Sequence, residues 1–390
     1  MRQLNEFYRD WIASRPVEPV VLKEPIPLEE LHTPALVIDL DAFEANLDRM
    51  QSHLDDAGIR LRPHTKMHKC PIIARQQVER GAVGVCAAKL AEAEAMCAAG
   101  VDNVLITSPL ASVDKLERFI ALRSAYPGVQ LAVDHPETVQ HLDRLSAAHG
   151  LVVDVYLDID PAMGRTGIAA GEPALELAKQ VVDTGNLRLV GLQMYAGHCM
   201  HIEGYEARAK RYRDVMAAGA ETRDLLQSAG IDVPVFSGGG TGTYDIEPGL
   251  GLVNELQAGS YAFMDIEYRD IGSLQTELFD DFDVSLFVLV TAISQPQSRL
   301  ITVDAGFKSL ASDKMAPEFR DVEGVVYHWG GDEHGIVQLS NPSKNIALGD
   351  KLEVLTPHCD PTVNLHDFYF PYRDGMVREV WPITARGLSQ

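Results

Sequence analysis

Residues Leu151-Val152-Val153-Asp154-Val155-Tyr156-Leu157-Asp158-Ile159 read as a strand that is apolar on both faces over part of its length. A strand of an antiparallel sheet with one wet face would alternate more strictly, so this run suits a parallel sheet covered by helices. Similar runs recur near 35–39, 59–62, 82–87, 103–107, 129–133, 188–194 and 233–236. Amphipathic stretches fill the intervals at 71–80, 89–99, 113–125, 136–148, 172–184 and 203–229. After the first run, Phe43, Leu47, Met50 and Leu54 keep helical spacing, Asp41 with Glu44 has the form of a capping box, and Gly58 is placed to stop the helix. The strands lie roughly 28 residues apart, the size of a βαβ unit. Eight such units predict an α/β fold built on a (β/α)8 TIM-like barrel rather than an open sheet.

Outside this rhythm the chain changes character. Residues 1–32, with Pro16, Pro19, Pro25 and Pro27, read as an N-terminal extension made of a short helix and an extended lead-in. Beyond 280 the expected strands fall at 284–294, 299–304, 335–339, 351–356, 368–373 and 376–381, with Asp374-Gly375 as a hairpin signal and no helix between them. The expected organisation is therefore an extension over 1–32, a barrel over 33–280 and a C-terminal antiparallel β domain over 281–390.

Composition narrows the class of function. With 46% apolar and 23% charged residues the chain reads as soluble and globular. A net charge of −22 argues against nucleic acid or an anionic membrane surface as a partner. No apolar run reaches the length of a membrane span, and the residues after Met1 lack an apolar signal core. Cys70, Cys86, Cys97, Cys199 and Cys359 form no CxxC pair, which suits free thiols in a reducing compartment, so a cytoplasmic protein is expected.

Five stretches carry chemistry. Arg62-Pro63-His64-Thr65-Lys66-Met67-His68-Lys69 is a cationic run in an acidic chain, just after a short apolar strand. Cationic neighbours would lower the pKa of Lys66 and free its amine to attack a carbonyl; an exposed basic turn is the plainer alternative. Ser237-Gly238-Gly239-Gly240-Thr241-Gly242-Thr243 follows the expected eighth strand, where converging backbone N–H groups and hydroxyls would suit a phosphate, or form only a flexible turn. Gln257-Ala258-Gly259-Ser260-Tyr261 could complete that cradle. Gly164-Arg165-Thr166-Gly167 places an arginine past the expected sixth strand, to meet a ring nitrogen or carboxylate, or simply to sit in a surface loop. Tyr195-Ala196-Gly197-His198-Cys199-Met200-His201 ends the expected seventh strand and offers stacking and acid/base groups, with His198 and His201 as a less favoured metal pair. In Pro357-His358-Cys359-Asp360-Pro361 an extended chain would point His358 and Asp360 to one side, either as two ligands of a divalent ion or as a hydrogen-bonded pair.

Taken together, these stretches resemble the D-threonine aldolase / D-serine dehydratase family of fold-type III pyridoxal-phosphate enzymes, distant relatives of alanine racemase. The resemblance also takes in Glu255-Leu256-Gln257-Ala258-Gly259-Ser260-Tyr261-Ala262-Phe263-Met264-Asp265, Asp304-Ala305-Gly306-Phe307-Lys308-Ser309, Asp332-Glu333-His334-Gly335 and His358 to Asp367, and spans about residues 33 to 387 with order and spacing kept. It implies that Lys66 carries pyridoxal phosphate, that Arg165 meets the pyridine nitrogen and that Tyr195 contacts the cofactor. Gly240, Thr241, Gly259, Ser260 and Tyr261 would form the phosphate site. His201 would be the acid/base group, and His358 and Asp360 would bind a divalent metal, Mn²⁺ foremost, with Mg²⁺, Co²⁺ or Zn²⁺ as alternatives. It implies a homodimer whose active site lies between one subunit's barrel and the other's β domain.

The implied reaction is metal-activated cleavage of a 3-hydroxy-D-amino acid to glycine and an aldehyde. Dehydration of such a substrate is the alternative, and racemisation a more distant one. Family members with dehydratase activity tend to pair His with Cys at the metal, where this chain has His358 and Asp360, and this favours the aldolase. The chain departs from the family's usual residues at Asp158 to Thr166, at Met200 and over 244–250. The substrate could be D-threonine-like, phenylserine-like or 3-hydroxy-D-aspartate; for a second carboxylate, His64, His68, His198 and Arg269 are the candidate partners.

Overall fold

The computed structural model describes residues 2–390, and in it two sheets share the work of building the site. The first is a barrel of parallel strands: Arg60–Leu61, Val85–Ala87, Val104–Ile106, Gln130–Val133, Val153–Asp160, Leu187–Met194, Val235–Gly238 and Glu255–Leu256. Arg60–Leu61 pairs with Glu255–Leu256, and a parallel bridge between His64 and Cys86 joins the first strand to the second, closing the ring. The helices Pro71–Glu79, Leu90–Ala98, Val113–Ala125, Pro136–His149, Glu172–Asp183 and Tyr205–Ser228 lie where the amphipathic stretches place them.

The barrel's membership differs from expectation in one strand. Ala35–Asp39 leaves the barrel and lies in the second sheet, antiparallel to Leu286–Gln297 and parallel to Phe368–Arg373. Its first four residues are buried, as in a barrel strand, because it is a central strand with both edges paired. The place it vacates is filled by Glu255–Leu256, too short to read as a strand by pattern alone. Every loop therefore moves back one strand: Lys66 follows the first, Arg165 the fifth, Tyr195 the sixth and the glycine run the seventh. The helix after Ala35–Asp39 is capped by Asp39, whose carboxylate accepts from the Ala42 N–H, rather than by Asp41. Gly58, at φ 67°, ends it as expected.

The second sheet runs in the order Val20–Pro27, Met376–Pro382, Phe368–Arg373, Ala35–Asp39, Leu286–Gln297, Leu300–Val303, Gly335–Leu339, Val325–Trp329. Lys351–Leu355 pairs with Leu286–Gln297 and also with Glu318–Phe319. Apart from the Ala35–Asp39 pair with Phe368–Arg373, its strands run antiparallel. The extended lead-in is thus an edge strand, and Val325–Trp329 and Glu318–Phe319 add to the strands read from sequence. Beyond residue 280 one helix was not expected: Cys359–Val363, a single turn and a half directly after His358. A continuous apolar cluster joins the two halves, running from Leu61 and Met67 of the barrel to Val288, Val354 and Tyr369 of the second sheet.

The barrel interior holds a charge pair. Arg62 Nε lies 2.9 Å from a Glu255 carboxylate oxygen, with both side chains almost fully buried, and Arg62 also donates to the Asn103 carbonyl at 2.9 Å. Arg60, half-exposed, is the next nearest cation to Glu255, at 3.9 Å. Removing one member of a buried pair strands the other, so Arg62→Ala is expected to cost about 3–5 kcal/mol. A lowered midpoint in denaturant unfolding checks this, and an unchanged midpoint contradicts it.

Candidate active site

The site lies where the C-terminal ends of the barrel strands meet the turn that begins at His358. Lys66 Nζ is 2.7 Å from Asp360 Oδ1, a contact between residues 294 apart in sequence. The expected extended geometry at Asp360 gives way here. His358 is extended (φ −150°), but Asp360 already lies inside the short helix. Pro361 is accommodated because a first-turn residue has no N–H to contribute to the helix ladder. Cys359 is fully buried, so burial pushes its thiol pKa up, and that thiol donates to Asp360 Oδ2 at 3.8 Å.

The charge state of Lys66 also differs from expectation. Asp360 raises its pKa rather than the neighbouring cations lowering it. The reason is that each cation of the run has its own carboxylate: Arg62 with Glu255, Lys66 with Asp360, Lys69 with Glu92. The two histidines add no charge. Burial pushes His64 well below its ordinary value, with Lys66 adding to the effect, and holds His68 down at about 3. His64 Nδ1 accepts from the Lys66 N–H, and His68 Nδ1 from the Cys70 N–H. At Asp360 burial works against ionisation, but Lys66 outweighs it and keeps the carboxyl at about 2.

Around this pair the other residues singled out in the sequence converge in part. Arg165 is exposed and sits over the Tyr195 ring, 5.4 Å from its centroid. Asp160 shapes the Arg165 loop by accepting from Met163 N–H at 2.8 Å and Gly164 N–H at 3.1 Å. Glycines crowd Tyr195, for a Cβ on Gly197 would lie 2.7 Å from its ring, and one on Gly240 3.6 Å away. The two glycine-bearing loops touch, because Tyr261 N–H donates to Thr241 Oγ1 at 2.9 Å. That bond sets side by side the short turns Thr241–Thr243 and Ser260–Ala262. The Tyr261 ring turns away into the core, its hydroxyl accepting from Gln77.

His201 packs against Tyr268 with ring centroids 4.4 Å apart, and its Nδ1 lies 3.7 Å from a Glu267 oxygen. Burial lowers its pKa to about 4 even though Glu267 opposes the shift, so the ring is neutral near pH 7. Its Nε2 is buried without a protein partner. His198 is exposed, and among the described residues no group of three or more His, Cys, Asp or Glu side chains is placed to hold a metal. The candidates for a second substrate carboxylate fare unevenly: His64 and His68 are buried and neutral, and Arg269 is bound to Glu318 and Asp270.

Four residues here were given no role of their own in the sequence, although Asp265 ends one of the family-like stretches. Asp265, fully buried, accepts from both Tyr268 N–H and Cys359 N–H and so ties a barrel loop to the His358 turn. Glu267 stands between His201 and Lys314, 2.7 Å from the Lys314 amine. Asp313 lies 2.9 Å from His358 Nδ1. Their partners are distant in sequence, and no local pattern announces such contacts.

The donors present fit pyridoxal phosphate. Backbone N–H groups at the start of two adjoining turns, with the Ser260 hydroxyl, suit a phosphate. The glycines leave no room for side chains there: a Cβ on Gly242 would come within 2.2 Å of the Met200 carbonyl, and one on Gly259 within 3.1 Å of the His64 carbonyl. Lys66 offers an amine at the same site. A divalent cation fits as well, since His358 offers an imidazole and Asp360 a carboxylate, and other positions would fall to water or substrate.

Comparison with known proteins agrees. Residues 38–267 match the alanine racemase N-terminal domain family, and residues 285–372 a putative serine dehydratase domain. The chain belongs to the D-threonine aldolase / D-serine dehydratase family. It is 36% identical to a 3-hydroxy-D-aspartate aldolase of Paracoccus denitrificans (strain Pd 1222), over 92% of this chain and 93% of that one. It is equally similar, at 36%, to a D-threonine aldolase of an Arthrobacter species, over 93% and 95%. Its fold superposes on the crystal structure of D-threonine aldolase from Filomicrobium marinum with a TM-score of 0.90 and 37% identity, over 95% of this chain and all of that one. A variant D-threo-3-hydroxyaspartate dehydratase in a metal-free form superposes with a TM-score of 0.81 and 29% identity, over 92% and 98%.

Behind the glycine run of this family member lies Glu247, fully buried and bonded by the Tyr212 and Thr243 hydroxyls. Gly239, at φ 64°, has no space for a side chain because a Cβ would sit 2.4 Å from Glu247 Oε1. Burial raises the Glu247 pKa from 4.5 to about 8. The folded chain then holds a proton that the unfolded chain releases, so this group lowers stability as pH rises from 4.5 to about 8. Glu247→Gln imitates the protonated acid and is expected to flatten that part of the stability–pH curve. Denaturation midpoints of both proteins across the window test it, and parallel curves would refute it.

Proposed function

We propose that this protein is a metal-activated, pyridoxal-phosphate-dependent aldolase that cleaves 3-hydroxy-D-amino acids to glycine and an aldehyde, a carbon–carbon lyase of the D-threonine aldolase type. One observation carries this: the barrel lysine and the second-domain carboxylate meet at 2.7 Å, so an amine for the cofactor and ligands for a metal share one site. The relatives support it, being aldolases for D-threonine and 3-hydroxy-D-aspartate at 36% identity.

Lys66 would anchor the cofactor. Thr241, Gly240, Gly259, Ser260 and the Tyr261 turn would hold its phosphate, and Tyr195 and Arg165 would contact its ring. When bound, the cofactor withdraws electrons from Cα of the amino acid. His358 and Asp360 would hold the metal, which would supply Lewis acidity for a hydroxyl oxygen.

The proton inventory then falls to His201. Its neutral ring and unpartnered Nε2 suit it to take the β-hydroxyl proton as the Cα–Cβ bond breaks, while Glu267 holds the Nδ1 side. The aldehyde departs, and the proton that His201 takes from the hydroxyl balances the one that Cα gains to complete glycine. The second domain reaches Lys66 within one chain, through Asp360. A homodimer in the cytoplasm remains part of the proposal.

Incubating the purified protein with pyridoxal phosphate, Mn²⁺ and a panel of 3-hydroxy-D-amino acids should yield glycine and aldehyde, and EDTA should abolish the activity. Ammonia with a 2-oxo acid would instead assign a dehydratase, and full activity after chelation would remove the metal from the scheme. His201→Asn should lower kcat by about 10²–10⁴-fold, the usual contribution of one general base, with the bound-cofactor absorbance intact. Lys66→Ala should lose that absorbance, and its persistence would displace Lys66 as the anchor.

A further inference from the structure

Asp313 stands outside every motif, yet it touches the site at its most demanding point. Its Oδ2 lies 2.9 Å from His358 Nδ1, across 45 residues of sequence. A carboxylate only accepts hydrogen bonds, so this contact requires the imidazole to carry its proton on Nδ1. The lone pair is then on Nε2, the opposite edge of the ring. A metal-binding histidine needs this division, with one nitrogen donating to a carboxylate so that the other can ligate in a fixed orientation.

The loop bearing Asp313 is fastened on two sides. Ala311 N–H donates to Thr362 Oγ1 at 3.0 Å, and that hydroxyl donates to the His358 carbonyl at 2.8 Å. Next to Asp313, Lys314 reaches Glu267, the carboxylate beside His201. His366 is also hydrogen-bonded to the Ser309 carbonyl at the loop's start. The position of Asp313 relative to His358 is thus set by bonds from both flanking elements, although Asp313 is itself half-exposed.

We propose that Asp313 is a positioning residue for His358: it fixes the tautomer and orientation that present Nε2 to a divalent metal, without itself touching metal or substrate. The inference rests on the metal reading given under Proposed function. It adds a residue that decides how strongly the metal is held.

Calorimetric titration of Mn²⁺ into the metal-stripped, cofactor-loaded enzyme at fixed pH tests it. Asp313→Ala should bind Mn²⁺ about 10–100-fold more weakly, the usual effect of losing such an outer partner. Asp313→Asn, whose amide oxygen can still accept from Nδ1–H, should recover part of the loss. Cofactor absorbance and circular dichroism should match the wild type in both. Wild-type affinity in Asp313→Ala overturns the proposal, as does an equal loss in the two variants, because that would assign the effect to charge alone. His358→Ala separates the two levels: if it binds Mn²⁺ as the wild type does, the metal reading itself fails and the role of Asp313 falls with it.

Discussion

The contact between Lys66 and Asp360 is the constraint on which the site depends, because it joins the two sheets at the one place where chemistry is needed. A lysine at the mouth of a barrel is mobile unless something distant holds it. Here the segment 62–70 is gripped along its length. Arg62 is locked below by Glu255, Lys69 is paired with Glu92, the Tyr369 hydroxyl donates to the His68 carbonyl at 2.7 Å, and Ala385 N–H donates to the Lys69 carbonyl at 2.9 Å. The second sheet supplies the last two contacts or the chain that follows it. The barrel alone would leave Lys66 without its charge partner and its loop without its outer wall.

Electrostatics in the site follow from burial more than from the count of charges. His64, His68 and His201 all titrate below their ordinary value because the interior penalises the cation, so the local histidines act as neutral donors and acceptors. Polar side chains also bond to one another across the barrel strands. Gln193 bridges the Thr107 carbonyl and Asp158, and Gln257 bonds both Gln193 and Ser237. Burial raises the Asp158 pKa to about 6, Gln193 and Thr166 opposing the shift by hydrogen bonding.

Much of this was legible in the sequence, and the lost part has a physical cause. Helix spans were readable because their apolar faces repeat locally, and the second sheet's longer strands because β-branched runs sit between turn residues. Strand membership was not: Ala35–Asp39 is buried like a barrel strand, and only its partners reveal the sheet to which it belongs. Glu255–Leu256, two residues long, carries no periodicity at all. The loops bearing Lys66, Arg165, Tyr195, Thr241 and His358 could be found because each concentrates unusual residues in a short span. The ionisation of Lys66 could not, since proximity in sequence to other cations mattered less than a carboxylate 294 positions away. Asp265, Glu267, Asp313 and Lys314 are ordinary surface-type residues in sequence and acquire meaning only through long-range contacts.

The placement of Ala35–Asp39 between Phe368–Arg373 and Leu286–Gln297 bears on how the chain comes into being. During synthesis this early strand emerges with neither neighbour available, and its final edges are paired only once more than three hundred further residues have left the ribosome. Until then a strongly apolar strand stands with open edges, the kind of feature that invites non-native pairing. The barrel helices and the strand pairs within 286–355 can form locally in the meantime, whereas pairing Ala35–Asp39 with Phe368–Arg373 joins segments more than three hundred residues apart.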